Sequence, residues 1–277
     1  MKYNNELRVI NTQEKAYLLG FLYGDGTITT YKEKTGRIRF ITKISINKTD
    51  VKLINCLYKE FPFLNEGEFD YSVYNENFGK QSSLTKSSKK LYDDLILNGF
   101  YPRKSYENKD KLKLPNIDNK LMSHFIRGFF DADGSVYTQK SRPNLIRIEF
   151  ASVSYKFLNE INCYLKNIGI NSWRITPKKG KQICYQLSYN KTIDVQGLIN
   201  FMYNNANIKM ERKTIKCLNY KPVDKVLDRN MTCKFCGSHF INKNGNRGKC
   251  TRYECKDCGK GFSIKNFLIK NISQTEI

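Results

Sequence analysis

The sequence predicts an α+β protein made of two tandem α-β-β-α-β-β-α repeats and a small cysteine-stapled tail. Three observations carry this. An apolar run ending in Asp-Gly occurs twice, as YLLGFLYGDGT at 17–27 and FIRGFFDADGS at 125–135. The surroundings recur with it at nearly constant spacing: Asp25 and Asp133 lie 108 positions apart, Lys104 and Lys213 lie 109 apart, and Asn47 and Ser152 lie 105 apart. Four of the five cysteines in the last fifth of the chain form two Cys-x-x-Cys pairs. A chance pair of similar words would not bring its neighbours along, so the chain is read as an internal duplication.

Taken in order, AYLLGFLYG from residue 16 shows no strand alternation and no proline, and Gly26 follows Asp25 where a helix-ending glycine belongs. Residues 27–46 read as a hairpin turning at Lys34-Thr35-Gly36. A helix is expected over about 49–60 and a second hairpin over 68–86, turning near 77–80. SSKKLYDDLILNG then gives a short amphipathic helix stopped by Gly99. Leu114-Pro115 marks a boundary. The second copy has a helix over about 120–133 ended by Gly134, a hairpin looping at 141–144, and a helix closed by Gly169. A hairpin turning at Lys179-Gly180 and a helix over TIDVQGLINFMYNNA complete it. The expected divisions are repeats at 1–110 and 111–217, a weakly periodic linker at 218–232, and the tail at 233–277.

Composition narrows the function classes. Lys and Arg number 48 against 26 Asp and Glu, a formal net charge of +22. That excess repels itself unless a polyanion shares the surface, and nucleic acid is the leading candidate. The basic residues are spread along the chain rather than gathered on one amphipathic helix, which weighs against a membrane surface. No apolar run reaches transmembrane length, and MKYNNELRVINTQEK has no signal-peptide core. A soluble, intracellular protein is expected. Nine cysteines, an odd number with no secretion signal, argue for metal rather than disulfides. Histidine occurs twice, at His124 and His239, so hydrolytic chemistry must lean on carboxylates and metal.

The twin helices carry the chemistry. Gly20 and Gly24 in the first, and Gly128 and Ala132 in the second, leave a flat stripe on one helix face. Two such helices can pack side by side in parallel, with Leu19, Phe21, Phe129 and Phe130 around the seam. Asp25 and Asp133 then meet at their C-terminal ends. Two carboxylates added to two negative helix ends repel strongly without a cation, and a divalent ion with hard oxygen ligands, Mg²⁺ above all, suits them. Beside DNA such ions activate water and stabilise a leaving 3′-oxygen. An Asp-Gly pair alone makes hairpin turns just as readily. Its occurrence twice, on small-xxx-small helices inside a long repeat, favours the site.

LLGFLYGDG at 18–26 and IRGFFDADG at 126–134 resemble the motif of the LAGLIDADG homing endonucleases, in the form with both motifs in one chain. The resemblance covers about residues 10–217, including GFYPRKS at 99–105 and MERK at 210–213. It implies a pseudo-two-fold monomer whose sheets form a DNA-binding saddle, and two or more Mg²⁺ or other divalent ions at Asp25 and Asp133, with Gly24 and Ala132 as adjoining metal contacts. Asp131 matches the motif's first acid, where the first copy has Tyr23; that position packs or caps. Lys104 and Lys213 match the family's basic residues near each active centre, and Asn47 and Ser152 its water-positioning residues. Any lysine in so basic a chain also reads as a surface charge; the equal offsets favour these two. Readout of duplex DNA falls to the hairpins, through Thr27, Thr29 and Tyr31 of one parity and Ser135, Tyr137 and Gln139 of the other copy. Arg37, Arg39, Lys43, Arg147 and Arg174 are further DNA-contact candidates, and the acid Glu33 ends the first series.

In the tail, Cys233-x-x-Cys236 and Cys255-x-x-Cys258 are separated by 18 residues, a strong signal for one structural Zn²⁺ in a tetrahedral Cys₄ site. Cys250 and His239 are the alternative ligand candidates, although the four knuckle thiolates already complete the coordination. CKFCGSHFINKNGNRGKCTRYECKDCGKGF resembles the zinc ribbons that accompany some bacterial transposases. Nine Lys/Arg against three acids in 233–277 suit an added DNA clamp, with a structural cap as the alternative.

The whole reads as a site-specific homing endonuclease making a staggered double-strand break in a long asymmetric target, the ribbon adding DNA contacts. The competing reading is an intron maturase or a non-cleaving DNA- or RNA-binding protein on the same scaffold, with intron RNA as partner. A transposase rests on the ribbon alone. The Asn-, Lys- and Ile-rich wording points to the cytoplasm of a bacterium or phage-infected cell, or to an organelle, with an AT-rich genome.

Overall fold

A computed structural model of the chain describes residues 7–64, 73–75, 79–139, 142–172, 174–178, 180, 183–220, 232–238, 241–248, 250–255 and 257–265. The chain divides into two compact units, residues 1–222 and 223–277. The centre of the expected linker, 221–231, lies outside the described residues, as does His239.

The first unit contains the same order of elements twice. Helix α1 (Gln13–Asp25) is followed by strands β1 (Gly26–Lys32) and β2 (Ile38–Asn47), helix α2 (Val51–Glu60), strands β3 (Val73–Asn75) and β4 (Gly79–Ser87), and helix α3 (Lys89–Leu97). The second copy comprises α4 (Asn119–Asp133), β5 (Gly134–Gln139), β6 (Arg142–Ser152), α5 (Tyr155–Asn167), β7 (Arg174–Lys178), β8 (Cys184–Tyr189) and α6 (Thr192–Tyr203). Each copy forms a four-stranded antiparallel sheet with equivalent topology, β1-β2-β4-β3 and β5-β6-β8-β7. Helix α7 (Glu211–Leu218) has no counterpart in the sequence reading, which left MERK as a closing segment.

Local chemistry explains the boundaries. Helix α1 starts a turn before the apolar run because the Thr12 hydroxyl accepts the Lys15 N–H at 3.3 Å. Ser88, Asp118 and Ser154 cap α3, α4 and α5 in the same way. Gly99 and Gly169 adopt positive φ (82° and 85°) just past α3 and α5, as helix-ending glycines do. Gly26 and Gly134 do not. Their backbones are extended (φ −85° and −90°), so the expectation of a left-handed cap fails. They are glycines because a Cβ at Gly26 would lie 2.5 Å from the Leu22 carbonyl oxygen, and one at Gly134 2.4 Å from that of Phe130. The chain passes from helix straight into strand there, with no turn.

The core lies between the sheets and the two central helices, α1 and α4. Residues 15–24 of α1 are all buried, as an all-round apolar helix requires. Tyr23, Phe125, Phe129 and Phe157 form a ring cluster with centroids 4.9–6.4 Å apart. The second unit is a three-stranded antiparallel sheet, β9 (Ile241–Arg247), β10 (Cys250–Cys255) and β11 (Gly261–Lys265), with β10 central.

Candidate active site

Helices α1 and α4 pack in parallel along the stripe of small residues. A Cβ built on Gly20 would lie 2.0 Å from the Phe125 carbonyl oxygen, and one on Gly128 2.1 Å from that of Tyr17. At the C-terminal end, a Cβ on Gly24 would meet the Ala132 methyl at 2.3 Å and the Asp133 carboxyl carbon at 3.3 Å. The seam is therefore backbone against backbone, and it delivers Asp25 and Asp133 to one place.

That place is electrostatically tense. Burial, then the neighbouring Asp133 charge, pushes Asp25 up to about 7, against the pull of Lys213 and Lys104. Asp133 is also raised, chiefly by burial, with Lys104 and Lys213 opposing. Both acids keep partial solvent access. Two hard oxygen donors buried side by side suit a divalent cation, which the residues present fit.

The two lysines share this site and one architectural task. Lys104 Nζ donates to the Gly24 carbonyl. Lys213 Nζ donates to the carbonyls of Phe130 (2.8 Å), Asp131 (2.6 Å) and Ala132 (3.2 Å). Each thus satisfies carbonyl groups at the negative end of a central helix, close to the acids. Burial lowers both, Lys213 to about 8. The carbonyls of Gly24 and Ala132, expected to touch metal, already accept these lysine bonds.

Asp131 and Tyr23 hold the segments that carry the lysines. Asp131 is fully buried and accepts from the Tyr17 hydroxyl (2.8 Å), the Tyr203 hydroxyl (3.2 Å) and the Met210 N–H (2.7 Å), three residues before Lys213. In the first copy Tyr23 donates to the Asn98 carbonyl at 2.7 Å, six residues before Lys104. Unlike side chains thus do corresponding work. Arg127, buried within α4, donates to the carbonyls of Met202 (2.8 Å) and Ile208 (2.9 Å). An arginine in the middle of FIRGFF was the available signal for such an internal clamp; the Tyr17 and Tyr203 partners left none.

Asn47 and Ser152 make local turns. The Asn47 amide oxygen accepts the Thr49 N–H at 3.0 Å, and the Ser152 hydroxyl accepts the Ser154 N–H at 3.1 Å. Ladder register also separates them. Gly26 pairs with Ile44 but Gly134 with Phe150, so Asn47 shares the outward parity of Lys43 whereas Ser152 shares the core parity of Phe150. The sequence offset matched residues of opposite faces.

The candidate DNA face is the outer side of the sheets. Thr27, Thr29, Tyr31 and Arg37 are exposed on the first hairpin, and Tyr137 and Arg174 in the second copy, with Ser135 half-buried. The Gln139 side chain lies outside the described residues. Arg39 is committed to Glu33 at 2.6 Å, the acid at which the readout series stops. Thr27 opposes Lys43 while, one helix-proximal row for one, Ser135 opposes Glu149. Glu149 is buried, accepts from the Ser188 hydroxyl at 3.0 Å and pairs with Arg147 at 3.3 Å. The two sheets thus differ at matching positions, a half-buried Lys43 in one and a buried, paired Glu149 in the other.

In the second unit, ligand atoms of Cys233, Cys236, Cys255 and Cys258 lie within 4.8 Å of one another. Two matching knuckles produce this. The Gly237 N–H bonds to the Cys233 carbonyl (2.8 Å) and the Gly259 N–H to the Cys255 carbonyl (3.0 Å), with positive φ at both glycines. The Phe235 N–H points at the Cys233 sulfur (3.4 Å), and nearby backbone N–H groups lower the Cys255 thiol. Four converging thiols with N–H···S support fit zinc. Cys250 sits on β10 and is not in this cluster.

Comparison with known proteins agrees with this geometry. The family model described as a LAGLIDADG-like domain matches residues 120–199. Among solved structures, the LAGLIDADG meganuclease I-AabMI bound to uncleaved DNA matches with a TM-score of 0.50 and 16% identity, over 77% of this chain and 91% of that one. I-DmoI in complex with DNA and Ca matches with a TM-score of 0.51 and 19% identity, over 76% and 97%. Paired helices with glycine seams and two equivalent sheets are the LAGLIDADG fold. The chain carries a LAGLIDADG-like domain in its second repeat, and its first repeat has the same topology. It is also 24% identical over 166 residues (58% of the chain) to the NrdEB alpha subunit of ribonucleoside-diphosphate reductase from Bacillus subtilis (strain 168). The corresponding protein of Bacillus phage SPbeta matches equally. The chain spans about 15% of the length of these two relatives.

Proposed function

We propose that this protein is a site-specific DNA endonuclease that makes a staggered double-strand break in a long asymmetric target, acting as a monomer. The observation that carries the proposal is the convergence of Asp25 and Asp133 at the end of a seam of glycines and Ala132, flanked by Lys104 and Lys213. Asp25 and Asp133 would hold the divalent cation, with Mg²⁺ the expected ion. When bound, it supplies charge for the attacking water and the leaving 3′-oxygen. The lysines hold the helix ends rigid and offset charge at the phosphate. Repeats 1–110 and 111–217 would each address one half-site through Thr27, Thr29, Tyr31, Arg37 and Lys43, and through Ser135, Tyr137, Gln139, Arg147 and Arg174. The ribbon at 233–277 would hold one Zn²⁺ and lengthen the footprint.

The test is incubation with Mg²⁺ and a plasmid library bearing randomised duplex inserts, followed by recovery of linearised molecules. Enrichment of one asymmetric sequence among cut plasmids is the expected result. Tight, sequence-selective retention of DNA with no cleavage would leave only the binding scaffold.

A further inference from the structure

The two halves of the site differ in how their lysines are anchored. Asp50 stands at the N-cap of α2 but makes no capping bond to its own helix. Its counterpart Ser154 does cap α5, accepting the Phe157 N–H at 3.3 Å. The Asp50 carboxylate instead reaches 162 positions along the chain and takes a two-pronged bond from Arg212, Nε at 3.2 Å and Nη2 at 2.9 Å. Asp50 is buried while Arg212 is half-exposed, and Lys52–Glu211 (2.9 Å) lies alongside as a surface pair. Arg212 immediately precedes Lys213. In the other half the matching residue, Arg103, pairs among the described residues with Glu107, four positions on.

A bidentate arginine–carboxylate pair fixes orientation as well as distance, which a single-point lysine contact does not. The Asp50 carboxylate is committed to a distant arginine rather than to its own helix start, and that commitment needs a return. The return is placement: first-repeat α2 is tied to second-repeat α7, and Lys213 is set across three carbonyls rather than one. Arg212 also neutralises Asp50, whose charge otherwise adds to the burden on Asp25.

We infer that Asp50 and Arg212 are positioning residues that strap Lys213 onto the acid pair, so that one of the two strand cuts depends on this bridge and the other does not. The inference rests on the endonuclease reading. A target recovered as above is placed on a supercoiled plasmid, and supercoiled, nicked and linear forms are followed with time. Asp50→Asn and Arg212→Lys should slow the second cut about tenfold, the size of a lost charged hydrogen bond, so that nicked plasmid accumulates with the same strand always intact. Asp50→Glu should restore most linearisation. Thermal melting of each variant reports folding, and the nicked-to-linear ratio, compared at equal consumption of supercoiled plasmid, is independent of the fraction folded. If the wild type cuts and the folded variants give its nicked-to-linear ratio, or lose both cuts equally, the strap has no such role. If the wild type cuts nothing, the endonuclease reading itself is at fault.

Discussion

Asp25 and Asp133 are adjacent carboxylates raised mainly by burial, so replacing one by Asn relieves repulsion while removing a metal donor. Asp25→Asn or Asp133→Asn should lower double-strand cleavage by on the order of 10³-fold or more. DNA retention in a gel-shift assay should persist. His124 gives a separate handle on pH. Its Nδ1 faces the Arg127 guanidinium at 2.8 Å, and burial, then Arg127, pulls it down to about 4. An unfolded imidazole titrates near 6.5. Between those values the unfolded chain holds more protons, so this stabilisation is complete above about pH 6.5 and fades as pH falls toward 4. His124→Asn keeps an acceptor for Arg127 without the titration. Its loss of melting temperature between pH 7.5 and pH 5 should be smaller than the wild type's; an equal loss would sink the assignment.

At the scale of elements, the seam makes the sharpest demand. Gly20→Ala and Gly128→Ala each drive a methyl into a helix carbonyl at about 2 Å, and neither backbone can yield without separating α1 from α4. A loss of about 3 kcal/mol or more in denaturant unfolding is expected. Gly197→Ala in α6 is the control. Its nearest neighbour would be the Ile170 side chain at 3.5 Å, and helix propensity should make it neutral or stabilising by about 0.5–1 kcal/mol. The helices, hairpins and acid pair were legible in the sequence because duplication displays them twice. What was not legible lies where the copies part. Asp131 and Tyr23 perform one task with different chemistry, Asn47 and Ser152 were aligned across a change of ladder register, and Asp50 finds its partner 162 residues away. Helix α7 was missed because its eight residues are too few to show a period against a strongly basic background.

At the scale of the molecule, two compact units have separate sources of stability. The first has a large apolar core; the buried cluster of the second contains only Cys233, Cys255 and Phe262 among the described residues. A domain with so little core needs a staple, and the four clustered thiols could supply one by holding zinc. Treatment with a strong zinc chelator, or Cys236→Ser, should therefore abolish amide protection in 233–265 while the main melting transition stays in place. Native mass spectrometry should find one zinc per chain before treatment. Loss of the main transition on chelation would mean the units do not stand alone.

The seam has one more consequence. Two helix backbones in contact at Gly20 and Gly128 cannot come closer, and the small Ala132 methyl against Gly24 keeps them close at the acid end. The gap between Asp25 and Asp133 is thus a gauge, set by atomic radii rather than by sequence. The sheets carry no such constraint, and they already differ where Lys43 faces one row and the buried Glu149 the other. On the endonuclease proposal, sequence preference would drift across the sheets while the spacing of the acid pair stays as it was.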